Sequence, residues 1–339
     1  MRPNLTVWNM EDMAMKSMTH LNAVLLGLTL AVCCSMVGGN VFASDAGTWK
    51  PERPIHIVGQ SEAGSGPDMF VRNLQPYLQQ EIDTAIVVEN APGSGGKIAC
   101  TQVWKARPNG YTLLSHSSPL TTVTQITGKG QYDVKSFAHI ISFDLTPYCL
   151  VVKKGSPIAS VADFIEASKK QRLVNGNSGL GGAMYLQSMI MMKGLGIEGA
   201  EVPFNGATPC MLAVMNGDVT HSVLPYDTVI NNQEEVTILA IMSDERLDVL
   251  PDVPTMKELG HDFAQLTMRR GIVAPPDTPK EVVDVLIAAF DRAVKNPGFQ
   301  EYVKNSGMTT DFVLGEDYQA IDKEYYDICM EFVQYLGGK

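Results

Sequence analysis

The chain of 339 residues is short of positive charge: 26 lysines and arginines stand against 37 acids, for a formal net charge of -11. Phosphate binding needs clustered Lys and Arg, so the composition argues against a nucleic-acid partner. A small anionic ligand is not excluded, because exposed charges are screened beyond about 8 Å at physiological salt. Cysteine is scarce as well, six in all and none in a CxxC spacing. Cys100, Cys149, Cys210 and Cys329 are far apart, and a domain of this size needs no covalent staples. Buried free thiols are the simplest reading, with pairing left open. Histidines are few and scattered: no HExxH and no carboxylate pair at helical spacing joins His56, His116, His139, His221 and His261 into a metal site. Nucleotide motifs are missing too. Gly64-x-Gly66 lacks the third glycine of a dinucleotide fingerprint, and Gly96-Lys97 is followed by Ile98 where a P-loop has Ser or Thr. No cofactor is expected.

Long apolar runs are absent apart from residues 21–32, too short for a membrane span. With Lys16 before it and Val41-Phe42-Ala43 after it, that run reads as a secretory leader over residues 1–43, cleaved after Ala43. Arg2 and Lys16 balance Glu11 and Asp12, so its removal leaves the charge at -11.

What the chain does hold is a repeated unit. Ile55, Ile57 and Val58 are β-formers, Gly64 to Gly66 relieve steric limits on φ, and Pro67 suits a first helical turn. Met69, Phe70, Leu74, Tyr77 and Leu78 then recur at helical spacing. Strand, glycine loop, helix is the predicted order. Such a junction offers free N–H groups and the positive end of a helix dipole to an anion, or else is a plain tight turn. The unit returns at 85–96, at 173–182 and at 200–209. Strands are also predicted at 111–114, before a polar loop at 115–119, and at 148–153, 236–242 and 271–274. The strand at 236–242 reads as covered on both faces. Ser160 reads as a side-chain cap of a helix, and residues 316–336 as one docked terminal helix. The fold class is α/β, in two lobes, each a mostly parallel sheet flanked by helices.

Catalytic groups do not assemble. Gly176-Asn177-Ser178-Gly179-Leu180 is like a nucleophile elbow, but Leu180 stands where the motif requires glycine. Asp68 sits in a first helical turn, as a cap or a ligand contact. Arg269 and Arg270 adjoin the glycine of a short strand, where alternation sends only one toward a cleft; a solvated charge is the other reading. What remains is a set of strand-end loops rich in N–H, Ser, Thr and Asn, which suits a binder of a small carboxylate outside the strand ends.

One ordered series of segments carries a resemblance. Arg53-Pro54-Ile55, the first glycine loop, Val88 to Gly96, Pro108-Asn109-Gly110-Tyr111, Tyr132-Asp133-Val134, Val202 to Gly206, Leu250 to Thr255 and Ala274-Pro275 together resemble the extracytoplasmic receptors of tripartite tricarboxylate transporters, the Bug-type receptors. The resemblance covers nearly all of the chain after the leader. It implies a type II periplasmic-binding-protein fold that closes on an organic carboxylate and delivers it to membrane permease subunits. The lobes would be 44–144 plus 269–339 and 145–268, in a periplasmic monomer. Carried over to this chain, the implied ligand contacts are Gly64, Ser65, Gly66 and Asp68, then Asn177, Ser178, Gly179 and Gly181, and then Asn205, Gly206, Ala207 and Thr208. Arg270 is the implied partner of a distal carboxylate, since Arg270-Gly271 matches one branch of the family. The chain departs from the pattern at Pro67, Gln60 and Glu62, which alters the floor of the first loop. Two alternatives stand beside the transport receptor: a ligand-sensing subunit for a membrane sensor kinase, and a hydrolase using Ser178.

Overall fold

The computed structural model describes residues 49–336 apart from Lys129, Leu180, Gly181 and Gly307. The leader and Gly181 therefore lie outside the described residues. Two sheets organise the chain. The first gathers β1 (Ile55–Gly59), α1 (Gly66–Ile82), β2 (Ile86–Asn90), α2 (Lys97–Trp104), β3 (Thr112–Ser118), α3 (Leu120–Ile126) and β4 (Ala138–Thr146). The chain then crosses at Pro147 to a second sheet through β5 (Tyr148–Lys153), α4 (Val161–Lys170), β6 (Leu173–Asn177), α5 (Ala183–Gly194), β7 (Gly199–Pro203), α6 (Ala207–Asn216), β8 (His221–Pro225), α7 (Tyr226–Val229) and β9 (Val236–Met242). An irregular stretch leads back to β10 (Met268–Ala274), α8 (Lys280–Val294), α9 (Pro297–Ser306), β11 (Val313–Leu314) and α10 (Gly315–Glu331) in the first sheet's half.

The first sheet runs β11-β4-β10-β3-β1-β2 and the second β7-β6-β8-β5-β9. The α/β expectation holds, but the sheets are mixed rather than mostly parallel. β1 is parallel to β2 and β3, and β6 to β7 and β8, as crossover helices require. At the two crossings the chain leaves by β4 and β9 and enters by β5 and β10, and β5 and β10 run antiparallel to both of their neighbours.

Alternation on the strands builds two layers on the first sheet. Ile57, Leu113 and Ile272 face α1, α8 and α9, where Phe70 stacks on Phe143 at 4.1 Å and meets Phe299 edge-on at 5.2 Å. Burying a side chain such as Phe70 stabilises by about 1.5–3 kcal/mol. Val58, Leu114 and Val273 face the opposite layer, formed by α2 and α10. The Ser160 cap is present: its Oγ accepts from the Asp163 N–H at 3.1 Å. The four cysteines of the described residues are buried free thiols.

Three local expectations change. Residues 115–118 are strand, not loop: β3 is central, so its ladder to β1 and β10 holds even the polar Ser115 to Ser118 inside. β9 is an edge strand and leaves Thr237 and Ile238 half-buried. The terminal helix stops at Glu331, and a short 3-10 turn over Val333–Leu336 completes the docking. β4 carries no clean sequence signal because Ser142 and Asp144 interrupt it, and both meet arginines of β10.

Candidate ligand-binding site

Three helices begin at one cavity of about 720 Å³. From the first half come Ser94, Gly95 and Lys97 at the start of α2, with Leu120 and Thr124 of α3. The second half supplies Tyr148 of β5, Ser178 and Gly182 before α5, Gly206 and Ala207 at the start of α6, and Pro225 at the end of β8. Met268, where the chain re-enters the first sheet, closes one side.

The local sequence explains these openings. α2, α5 and α6 have glycines at their N-caps, Gly96, Gly182 and Gly206, and none receives a side-chain cap. The first N–H groups of α5 and α6 therefore keep their hydrogen-bonding capacity for a partner outside the helix, while at α2 the Lys97 N–H donates to the Ser94 carbonyl and the next N–H groups take that part. Gly95 has φ +65°, and a Cβ there would stand 2.7 Å from Thr124 Oγ1, so only glycine fits. After β6, Asn177 Oδ1 accepts from the Gly179 N–H at 2.8 Å, while its carbonyl accepts from the Phe204 N–H at 2.7 Å. This ties the loops that precede α5 and α6 to each other.

The electrostatics favour an anion. Lys97 is the one cation and no Asp or Glu is present among the described lining residues, and three helix dipoles point their positive ends at the cavity. Tyr148 is fully buried, and its hydroxyl has no hydrogen-bond partner among the described residues. Burial, with Asp227 nearby, pushes that phenol well above its ordinary range, so it stays a neutral donor.

Of the residues expected from sequence, Ser178, Gly206 and Ala207 line this cavity. Asn205 and Thr208 are exposed beside Gly206 and Ala207. The Asn177 amide donates instead to Glu201 Oε2 at 2.5 Å, as does Asn175 at 2.7 Å; burial raises the Glu201 pKa, and those two donors oppose the rise. The first glycine loop lies elsewhere and is held by its own contacts. Ser65 Oγ donates to the Glu62 carbonyl at 2.6 Å, and Gly64 N–H donates to Asp68 Oδ2 at 2.8 Å. Asp68 also accepts from Arg72 at 2.9 Å and Asn90 at 2.9 Å, and these donors lower its pKa although burial acts to raise it.

Gly66 and Arg270 line a second cavity of about 390 Å³. Arg270 is buried there between Asp144 and Asp227, bonded to the second at 3.1 Å. Burial works against its charge, yet the two carboxylates hold its pKa above the usual value. Arg269, also buried, donates to Ser142 at 2.7 Å and Asp311 at 2.8 Å.

Sequence reasoning passed over Lys97, Thr124, Tyr148 and Met268. The available signal is the second glycine loop, a repeat of the anion-binding unit at 85–96 that carries no named ligand residue in the sequence reading. The histidines offer Ser178 no base: His116 and His139 surround Asp322 on α10, away from the cavity lining, and His221 packs edge-on to Phe164 at 4.7 Å.

Comparison with known proteins identifies the family. Residues 70–326 match the model of the tripartite tricarboxylate transporter family receptor, TctC. The Cupriavidus necator "UPF0065 protein in gbd 5'region" is 28% identical over 294 residues, covering 85% of this chain and 88% of that protein. The structure of the periplasmic binding protein BugD superposes with a TM-score of 0.67 at 28% identity, covering 85% of this chain and 99% of BugD. An R. palustris protein solved with adipate has the same fold, with a TM-score of 0.68 at 23% identity over 85% of this chain and 98% of that one. The matched model is that of a receptor family and BugD is a periplasmic binding protein, so the Ser178 hydrolase alternative falls, and the chain belongs to the receptor family of the tripartite tricarboxylate transporters.

Proposed function

We propose that this receptor captures a small organic carboxylate in the 720 Å³ cavity between its two sheets and hands it to membrane permease subunits. The observation that carries the reading is the convergence of three uncapped helix N-termini and Lys97 on a cavity whose described lining has no carboxylate. The adipate held by the R. palustris neighbour supports the ligand class. Within the cavity, Ser178, Gly206 and Ala207 act with Ser94, Gly95 and Lys97 on the anion. Asn177 and Gly179 brace the loops before α5 and α6 instead, whereas Gly64, Ser65 and Asp68 hold the first glycine loop and Gly66 and Arg270 line the second cavity. The lobes are 44–144 plus 269–339 and 145–268, and export to the periplasm follows cleavage after Ala43.

Isothermal titration against mono-, di- and tricarboxylates tests the binding claim. At least one member of the panel should bind, and Lys97→Ala should weaken it about ten-fold or more, as loss of a charge-assisted hydrogen bond does. A folded protein silent across the panel would contradict the reading.

A further inference from the structure

We propose that the cavity selects a single carboxylate carried on an apolar body, and that Tyr148 receives one neutral acceptor atom on that body. This rests on the carboxylate-receptor reading above and narrows it.

The donors around the cavity decide the matter. Lys97 is the one cation among the described lining residues and neutralises one anion. The nearby guanidinium groups are committed, Arg270 to Asp144 and Asp227, and Arg269 to Ser142 and Asp311. The threonine hydroxyls are committed as well. Thr124 donates to the carbonyls of Gly95 or Leu120, both at 3.0 Å, and Thr127 donates to the Val123 carbonyl at 2.9 Å. Neither has a proton left for a ligand, since a hydroxyl carries only one. Leu120, Met184 and Met268 offer no donor at all.

The Ser94 and Ser178 hydroxyls serve the first carboxylate beside Lys97, so a second one would lose its water against the remaining walls and meet no second cation among the described lining residues. A neutral body loses little there, and two methionines adapt to its outline. Tyr148 is the buried, unpartnered donor among the described lining residues. Its side chain lines the cavity, it is fully buried, and its hydroxyl is unpartnered among the described residues. An unpaired buried donor is costly until something accepts its proton. A hydroxyl, ether or carbonyl oxygen on the ligand meets that need.

Titration calorimetry on the folded protein tests this with matched pairs: hexanoate against adipate, and 4-methoxybenzoate against terephthalate, with benzoate as the reference. The monocarboxylate of each pair is expected to bind at least about ten-fold more tightly. Tyr148→Phe is expected to weaken 4-methoxybenzoate about ten-fold while leaving benzoate within about two-fold. Equal or tighter binding of the diacids overturns the single-carboxylate selection. A Tyr148→Phe variant that weakens both benzoates alike, or neither, overturns the role of the hydroxyl. Silence of the wild type toward every acid overturns the receptor reading itself, a distinct result. If the variant fails to fold, the wild-type pairs still decide the selection.

Discussion

At the scale of single residues, the buried histidines make stability sensitive to acid. His221 is fully buried with neither ring nitrogen hydrogen-bonded among the described residues, and burial pushes its pKa down to about 3. His116, bonded to Thr121 at 2.7 Å and Tyr318 at 3.1 Å, is pushed down to about 4 by burial, against the pull of Asp322. A folded-state pKa below the unfolded one means that the unfolded chain takes up the proton first. The contribution is therefore intact above about 6.5 and is lost as pH falls toward 4 for His116 and 3 for His221. Asp322 has the opposite chemistry and acts lower. Burial raises its pKa but the two histidines outweigh that, so the native state prefers the carboxylate and loses stability only as pH falls below the ordinary 3.8. Each histidine contributes up to about 1.4 kcal/mol per pH unit within its window. His221→Leu should accordingly flatten the decline in unfolding free energy between pH 6.5 and 4.5, measured by urea titration. An unchanged slope would show that His221 is not the sensor.

Elements decide which loops reach the ligand. Gly95→Ala and Gly64→Ala both place a side chain at positive φ, +65° and +82°, at a backbone cost of about 1–2 kcal/mol. Only Gly95 also meets a neighbour, Thr124 Oγ1, whereas a Cβ at Gly64 meets nothing within 4 Å. Both variants should melt earlier, but only Gly95→Ala should also weaken carboxylate binding; the reverse pattern would return the site to the first loop. The strand, glycine loop and helix units were legible because each is local: β-formers, then glycines, then apolar residues at helical spacing. The Ser160 cap was legible for the same reason. Which glycine loop opens on the cavity was not, because α1 and α2 both start without a side-chain cap, and only the folded chain shows Asp68 holding the first loop through the Gly64 N–H while the start of α2 lines the cavity. The polar end of β3 was hidden too, since only its central place in the sheet buries it. Arg270 looked free in the sequence because its partners, Asp144 and Asp227, stand 126 and 43 residues away.

For the whole molecule, the two halves are tied as well as separated. Val123 of α3, Leu186 and Ile190 of α5, and Tyr325 and Cys329 of α10 share one apolar cluster. Arg270 of the first sheet reaches Asp227 on α7, beyond the second sheet's β8. Removing the arginine would strand Asp144, which is buried and whose pKa burial already raises against the pull of Arg270. Arg270→Met should destabilise by about 3–5 kcal/mol, since an uncompensated buried charge remains, and adding Asp144→Asn should recover much of that. Stability measured by denaturant unfolding checks both, while the folded fraction should still bind its carboxylate; a stable Arg270→Met protein that no longer binds would make Arg270 a ligand contact instead. The central claim is that main-chain N–H groups at three helix starts, with Lys97, grip the anion. A crystal structure with a bound carboxylate tests it most directly. The carboxylate oxygens should lie within hydrogen-bond reach of Lys97 and of the N–H groups at the start of α5 or α6. A carboxylate seated instead on Arg270, with Asp227 displaced, would contradict the account.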